Sequence, residues 1–123
     1  MKKTFQIVFT DLSAAEMATL PTLLQLDILG QFEAGALPEE AEAADAEKFG
    51  RVEGQGRSLN RFRAGDYRIY YEVAPRERSL LIRRVLHKNT LKDFLFRSNL
   101  PGAGEDEALQ DNPDFWKMMD ERK

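Results

Sequence analysis

Arg57-Ser-Leu-Asn-Arg-Phe-Arg-Ala-Gly-Asp-Tyr-Arg-Ile-Tyr-Tyr-Glu-Val73, followed by Ser79-Leu-Leu-Ile-Arg-Arg-Val-Leu-His-Lys-Asn89, decides the fold. Three runs of alternating apolar and polar residues are separated by two turn signals, Ala64-Gly65-Asp66 and Ala74-Pro75-Arg76-Glu77-Arg78, which predicts a three-stranded antiparallel meander. Successive strand residues point to opposite sides, so Tyr67, Ile69, Tyr71 and Val73 share one face and Arg68, Tyr70 and Glu72 the other. The first face is expected in a core. In the flanking strands Leu59, Arg61 and Arg63 alternate with Asn60 and Phe62, and Leu81, Arg83, Val85 and His87 with Leu80, Ile82, Arg84 and Leu86. The second face is therefore expected to be cationic. Guanidinium groups match phosphate through paired N–H donors, and aromatics stack on exposed bases, so RNA is the first partner this face suggests.

The rest of the chain supplies what the meander needs. Residues 3–9 read as a strand, and Ser13 with Glu16 three residues on reads as a capping box for a short helix. Pro21 suits a first helical position. After it, Leu23, Leu24, Leu26, Ile28, Leu29 and Phe32 form a stripe able to cover the sheet's apolar face, with Gly35 and Pro38 ending the helix. Residues 39–47 favour helix but lack large apolar side chains. Arg51 to Gly56, with two glycines, reads as a flexible lead-in. Thr90–Phe96 reads as one or two helical turns, Pro101–Gly104 as a hinge, and Asp111-Asn112-Pro113 as a helix start before Phe115, Trp116, Met118 and Met119.

At 123 residues and 42% hydrophobic composition, one domain with a modest core is expected. Cysteine is absent, which excludes disulfides and thiolate metal sites and is compatible with a reducing cytoplasm. The opening apolar run is broken by Gln6 and Asp11, so it reads as a strand and not a signal peptide, and no long apolar segment suggests a membrane. The net charge of −3 hides an uneven distribution. Residues 1–47 carry 2 basic against 9 acidic groups, residues 48–97 carry 13 against 5, and residues 98–123 carry 3 against 7. A basic centre of +8 is bracketed by acidic ends.

The run Gly65-Asp66-Tyr67-Arg68-Ile69-Tyr70-Tyr71-Glu72-Val73, with a hydrophobic strand ending Val85-Leu86-His87-Lys88, resembles the RelE/ParE superfamily of bacterial toxin–antitoxin systems over about residues 3–96. The resemblance implies an α+β fold. In it an N-terminal strand joins the meander in a small antiparallel sheet, a helical pair lies on one face, and residues 1–97 form the toxin domain, while 98–123, an acidic and partly helical C-terminal extension by sequence, depart from the family, whose small toxins usually stop earlier. It also implies a cytoplasmic toxin with a cognate antitoxin partner, the pair able to bind operator DNA. The RelE-like activity is ribosome-dependent endoribonuclease cleavage of mRNA, in which the 2′-hydroxyl attacks the adjacent phosphate with no metal or cofactor.

In that frame Arg68 matches the motif arginine that clamps phosphate. Arg61 stands where relatives carry a catalytic lysine; a guanidinium stays protonated at neutral pH and is a poor general base, so the position is expected to stabilise the phosphate. Lys88 stands where many have arginine, and His87, the single histidine, is an acid–base candidate. Phe94 replaces a tyrosine that helps activate the attacking hydroxyl. Arg57, Arg63, Tyr70 and Arg83 are RNA-contact candidates, while Glu72 reads as either a base or an arginine's partner. Phe94 leaves a second class open, a ParE-like toxin that binds a protein such as DNA gyrase without cleaving, and also a domain that only binds RNA or a partner. The tail reads either as a docked helix or as a cover whose acids and Trp116 restrain the basic face.

Overall fold

A computed structural model of the chain describes residues 6–33, 49–54, 56–74, 76, 79–91, 109–110 and 112–120. Five strands form one sheet: β1 (Gln6–Phe9), β2 (Phe49–Gly54), β3 (Arg57–Ala64), β4 (Tyr67–Ala74) and β5 (Ser79–His87), in the order β1-β5-β4-β3-β2. Helices α1 (Asp11–Ala18) and α2 (Thr22–Glu33) follow β1, and α3 (Pro113–Met119) lies near the end of the chain. The α+β architecture matches the sequence reading, and the meander forms as β3, β4 and β5, antiparallel throughout. β1 joins it parallel to β5, and a fifth strand, β2, pairs with β3 from Phe49↔Phe62 to Gly54↔Arg57. The stretch expected as a flexible lead-in is therefore mostly strand. Its second glycine supplies the turn, since Gly56 has φ 73° between the paired Gly54 and Arg57. Gly65, at φ 58°, does the same between β3 and β4.

One sheet face packs on α1 and α2. Phe62, Ala64, Ile69, Tyr71, Leu80, Ile82 and Val85 meet Met17, Leu20 and Ile28, with Leu24 and Leu29 partly buried beside them. The stripe expected along α2 is narrower than its leucines suggested, for Leu23 and Leu26 are 82% and 61% exposed. The cap of α1 also moves: Thr10 is the N-cap, its hydroxyl accepting the Ser13 N–H at 3.0 Å while Ser13 Oγ accepts the Thr10 N–H at 2.9 Å. Ser13 is thus the third residue of the box. Glu16 is released for another contact.

That contact closes an edge. β1 pairs only as far as Ile82, and beyond it Glu16 Oε1 accepts the Val85 N–H at 3.0 Å. The Arg84 guanidinium binds the same carboxylate, with Nε 3.0 Å from both oxygens and Nη2 2.6 Å from Oε2. The register of β4 and β5 shifts between Tyr70 and Tyr71, where Tyr70 pairs with Arg84 but Tyr71 with Ile82, leaving Arg83 as the extra residue of a bulge. Downstream of the bulge the alternation inverts. Val85 and His87 stay on the side of α1 and α2, while Arg84 and Leu86 turn to the opposite face with Tyr70.

The opposite face is a second core. Val52, Leu59, Tyr70 and Leu86 are covered by Leu91, Leu109, Phe115, Trp116 and Met119, none more than 4% exposed. α3 starts where Asn112 and Pro113 were expected to start it, with Asn112 Oδ1 accepting the Asp114 and Phe115 N–H groups. Residues 88–91 are helical, two residues earlier than the expected start at Thr90, and Leu91 is buried, while residues 92–96 lie outside the described residues. Residues 39–47, Gly35, Pro38, Phe94 and the 101–104 hinge lie outside the described residues. Among the described residues, no helix is long and apolar enough to cross a membrane.

Candidate nucleic-acid interface

The arginines expected on one face of the sheet are there. Register pairs Arg63 with Arg68 and Arg61 with Tyr70, and alternation sends all four side chains away from α1 and α2. They do not lie open, however. Arg61 and Arg68 are 4% and 7% exposed and Tyr70 is fully buried. The Tyr70 ring meets Phe115 edge to face, centroids 5.2 Å apart, so with α3 seated it offers no surface to a base. Arg68 turns back over the β3–β4 turn and its Nη1 donates to the carbonyls of Gly65 at 2.9 Å and Tyr67 at 3.1 Å. The guanidinium thereby stands at the hairpin end of the face, beside Arg63.

Toward the other end of the strands the expected RNA contacts carry acidic partners. Glu72 Oε2 accepts from Arg83 Nε at 3.1 Å and Nη2 at 2.9 Å, and its Oε1 lies 3.8 Å from Arg57 Nη2. Of the two sequence readings of Glu72, the arginine's partner is the one built. Arg57 also donates to Asp120 at 2.8 Å and holds its guanidinium carbon 5.2 Å from the centre of the Trp116 ring.

His87 is separated from Arg68. It pairs with Tyr67 on the face of α1 and α2, meets the Tyr67 ring edge to face at 5.1 Å, and its Nδ1 accepts the Asn89 N–H at 3.0 Å. Lys88 sits at the exposed corner next to the turn, where Nζ lies 3.1 Å from Asp66 Oδ1 and its backbone N–H donates to the Asp66 carbonyl at 2.7 Å. The hydrogen bond and charge of Lys88 hold the Asp66 carboxyl below its ordinary value. The structure thus gathers Arg61, Arg63 and Arg68 on one face, leaves Lys88 at its corner, and places His87 behind.

Three residues of this surface escaped the sequence reading. Arg84 ties α1 to α3, since besides Glu16 it donates to the Met118 carbonyl at 3.1 Å. The bulge at Arg83 turns Arg84 to that face. Glu16 is the second. Gly54 is the third, because a side chain on it would occupy the position of the Gln110 carbonyl and come within 3.2 Å of Trp116 Nε1.

Neither family models nor curated proteins match this sequence. Solved structures do. The chain is similar to one in the RelBE2 toxin–antitoxin complex from Mycobacterium tuberculosis, with TM-score 0.52 and 18% identity over 71% of this chain and 94% of that one. It is also similar to one in the archaeal RelE–RelB complex from Pyrococcus horikoshii, with TM-score 0.51 and 25% identity over 70% of this chain and 97% of that one. Each alignment takes in nearly all of the neighbour and leaves almost a third of this chain outside it. With its β1-β5-β4-β3-β2 sheet, helical pair and arginine-bearing hairpin, the chain has the RelE-like fold of toxin–antitoxin complexes.

Proposed function

We propose that this protein is the toxin of a toxin–antitoxin pair and that it stops translation by cutting mRNA on the ribosome. The observation that carries the reading is the placement of Arg61, Arg63 and Arg68 together on one face of a RelE-like sheet. In the reaction the 2′-oxygen bonds to phosphorus as the bond to the 5′-oxygen breaks. The products are a 2′,3′-cyclic phosphate and a 5′-hydroxyl. A base takes the 2′ proton and an acid supplies one to the leaving oxygen. Arg68 clamps the phosphoryl oxygens on which charge builds, with Arg61 and Arg63 adding to that field. Lys88, at the corner beside Arg68's turn, is better placed than His87 to neutralise the leaving oxygen. Both neighbours come from complexes of two partners, which supports a cognate antitoxin for this chain.

The burial of Tyr70 and Arg61 favours a second reading, a toxin that binds a protein target without cleaving RNA. Adding the purified protein to a cell-free translation reaction and to a gyrase supercoiling reaction separates the two. The nuclease reading expects translation to stop with new mRNA ends and supercoiling to continue. Intact mRNA with blocked supercoiling would favour the protein-target reading.

A further inference from the structure

The arginine face already has an occupant, and its chemistry resembles a nucleotide's. A flat aromatic ring, Trp116, lies against the Arg57 guanidinium, and a carboxylate, Asp120, is bonded to the same group at 2.8 Å. Single-stranded RNA engages arginine in the same two ways, base against guanidinium plane and phosphate against its N–H donors. Resting on the nuclease reading, we propose that residues 109–110 and 112–120 make an internal cover that holds the face in RNA's place and that RNA must displace.

The cover has a built seat. The Gln110 carbonyl rests over Gly54 where no side chain intervenes, and Trp116 Nε1 donates to that carbonyl at 2.9 Å. Leu109, Phe115 and Met119 are fully buried against Val52, Leu59 and Tyr70, and the Met118 carbonyl accepts from Arg84. The cover is also separable. α3 has seven residues, too few to stand as a helix alone, so it is folded only while seated. Among the described residues α3 meets the sheet through packed side chains and single hydrogen bonds and joins no strand ladder, so the cover can open as a local unit while β3, β4 and β5 stay paired. RNA affinity is then reduced by the fraction of molecules that are closed.

The chain's single tryptophan reports on the cover, since Trp116 is 2% exposed when seated. Gly54→Val in the 123-residue chain fills the seat with a residue that suits a strand and removes no charge from the face. Trp116 emission and its quenching by acrylamide are read alongside the anisotropy of a short fluorescein-labelled single-stranded RNA, with circular dichroism confirming the sheet. The variant is expected to expose Trp116 and to bind the RNA at least ~10-fold more tightly, and RNA added to the native protein is expected to expose Trp116 as well. Should Gly54→Val fail to keep its sheet, Met119→Ser takes its place with the same readouts. Exposed Trp116 with unchanged RNA affinity, or RNA bound by the native protein with Trp116 still buried, would overturn the cover while leaving the nuclease reading standing. RNA bound by neither form, with Trp116 exposed in the variant, would likewise overturn the cover as RNA's competitor, while ribosome-dependent cleavage is judged separately by mapping cuts on programmed ribosomes.

Discussion

Glu16→Gln removes one charge and almost no volume, and the structure makes its cost calculable. The carboxylate receives three contacts from Arg84 and one from the Val85 N–H, all between 2.6 and 3.0 Å. The two side chains are 10% and 18% exposed, so water screens the pair only slightly. An amide in its place presents an NH2 group to a guanidinium, leaving a buried charge without its counter-charge. Removing one member of a buried pair costs about 3–5 kcal/mol, and the residual exposure places this one near the lower end. For a domain of this size that corresponds to a fall in Tm of roughly 10 °C. Urea unfolding followed by Trp116 fluorescence and by circular dichroism measures it, with the midpoint falling and the slope unchanged. Glu16→Leu combined with Arg84→Met should recover stability to within about 1–2 kcal/mol of the native protein, because no charge is then left buried. A loss below ~1 kcal/mol for Glu16→Gln would mean that the pair behaves as a surface pair and does not close the β5 edge as argued.

Ile69→Ala, at a side chain 1% exposed between the sheet and the helical pair, should cost about 2–5 kcal/mol in the same unfolding experiment through the cavity it leaves. The Asp66 carboxyl should titrate below the ordinary aspartate value, chiefly because Lys88 hydrogen-bonds and attracts its charged form. Its depressed pKa means that the Asp66–Lys88 contribution is present above the ordinary aspartate range and is lost as pH falls through the lower, folded value. A carboxyl NMR titration of Lys88→Gln should return Asp66 toward the ordinary value, and an unmoved titration would show that Lys88 is not the cause. Arg68→Ala forfeits two hydrogen bonds to turn carbonyls, a stability loss of about 1–3 kcal/mol that leaves the fold intact.

The meander was legible because its signals are local. Gly65 marks a turn that needs φ 58°, and Ile69, Tyr71 and Leu80 alternate toward one core as period two requires. β2 was hidden by Gly50 and Gly54, which lower strand propensity, although Val52 is wholly buried by a partner more than fifty residues away in the chain. Leu23 and Leu26 show that the apolar content of a helix does not by itself define which side is covered. The arginine face was read correctly for Arg61, Arg63 and Arg68, whose alternation is unbroken. Which face His87 takes was not legible, because the bulge at Arg83 reverses the parity of every residue beyond it. The cover is a long-range fact. Trp116 reaches the sheet through a carbonyl at Gln110 and a missing side chain at Gly54, a coincidence that no window of sequence contains.

Cleavage of mRNA at the arginine face is open to a direct test. Native protein, Arg68→Ala and Arg68→Lys, each shown to be folded, are incubated with programmed ribosomes and with free mRNA. The cuts are mapped and their ends tested for 2′,3′-cyclic phosphate. Cyclic ends are expected from the native protein on ribosomes alone. Arg68→Ala is expected to lose about 2–4 kcal/mol of transition-state stabilisation, the size of one preorganised donor, with partial recovery in Arg68→Lys. Intact mRNA with folded native protein, or equal cutting by native protein and Arg68→Ala, would contradict cleavage at this face.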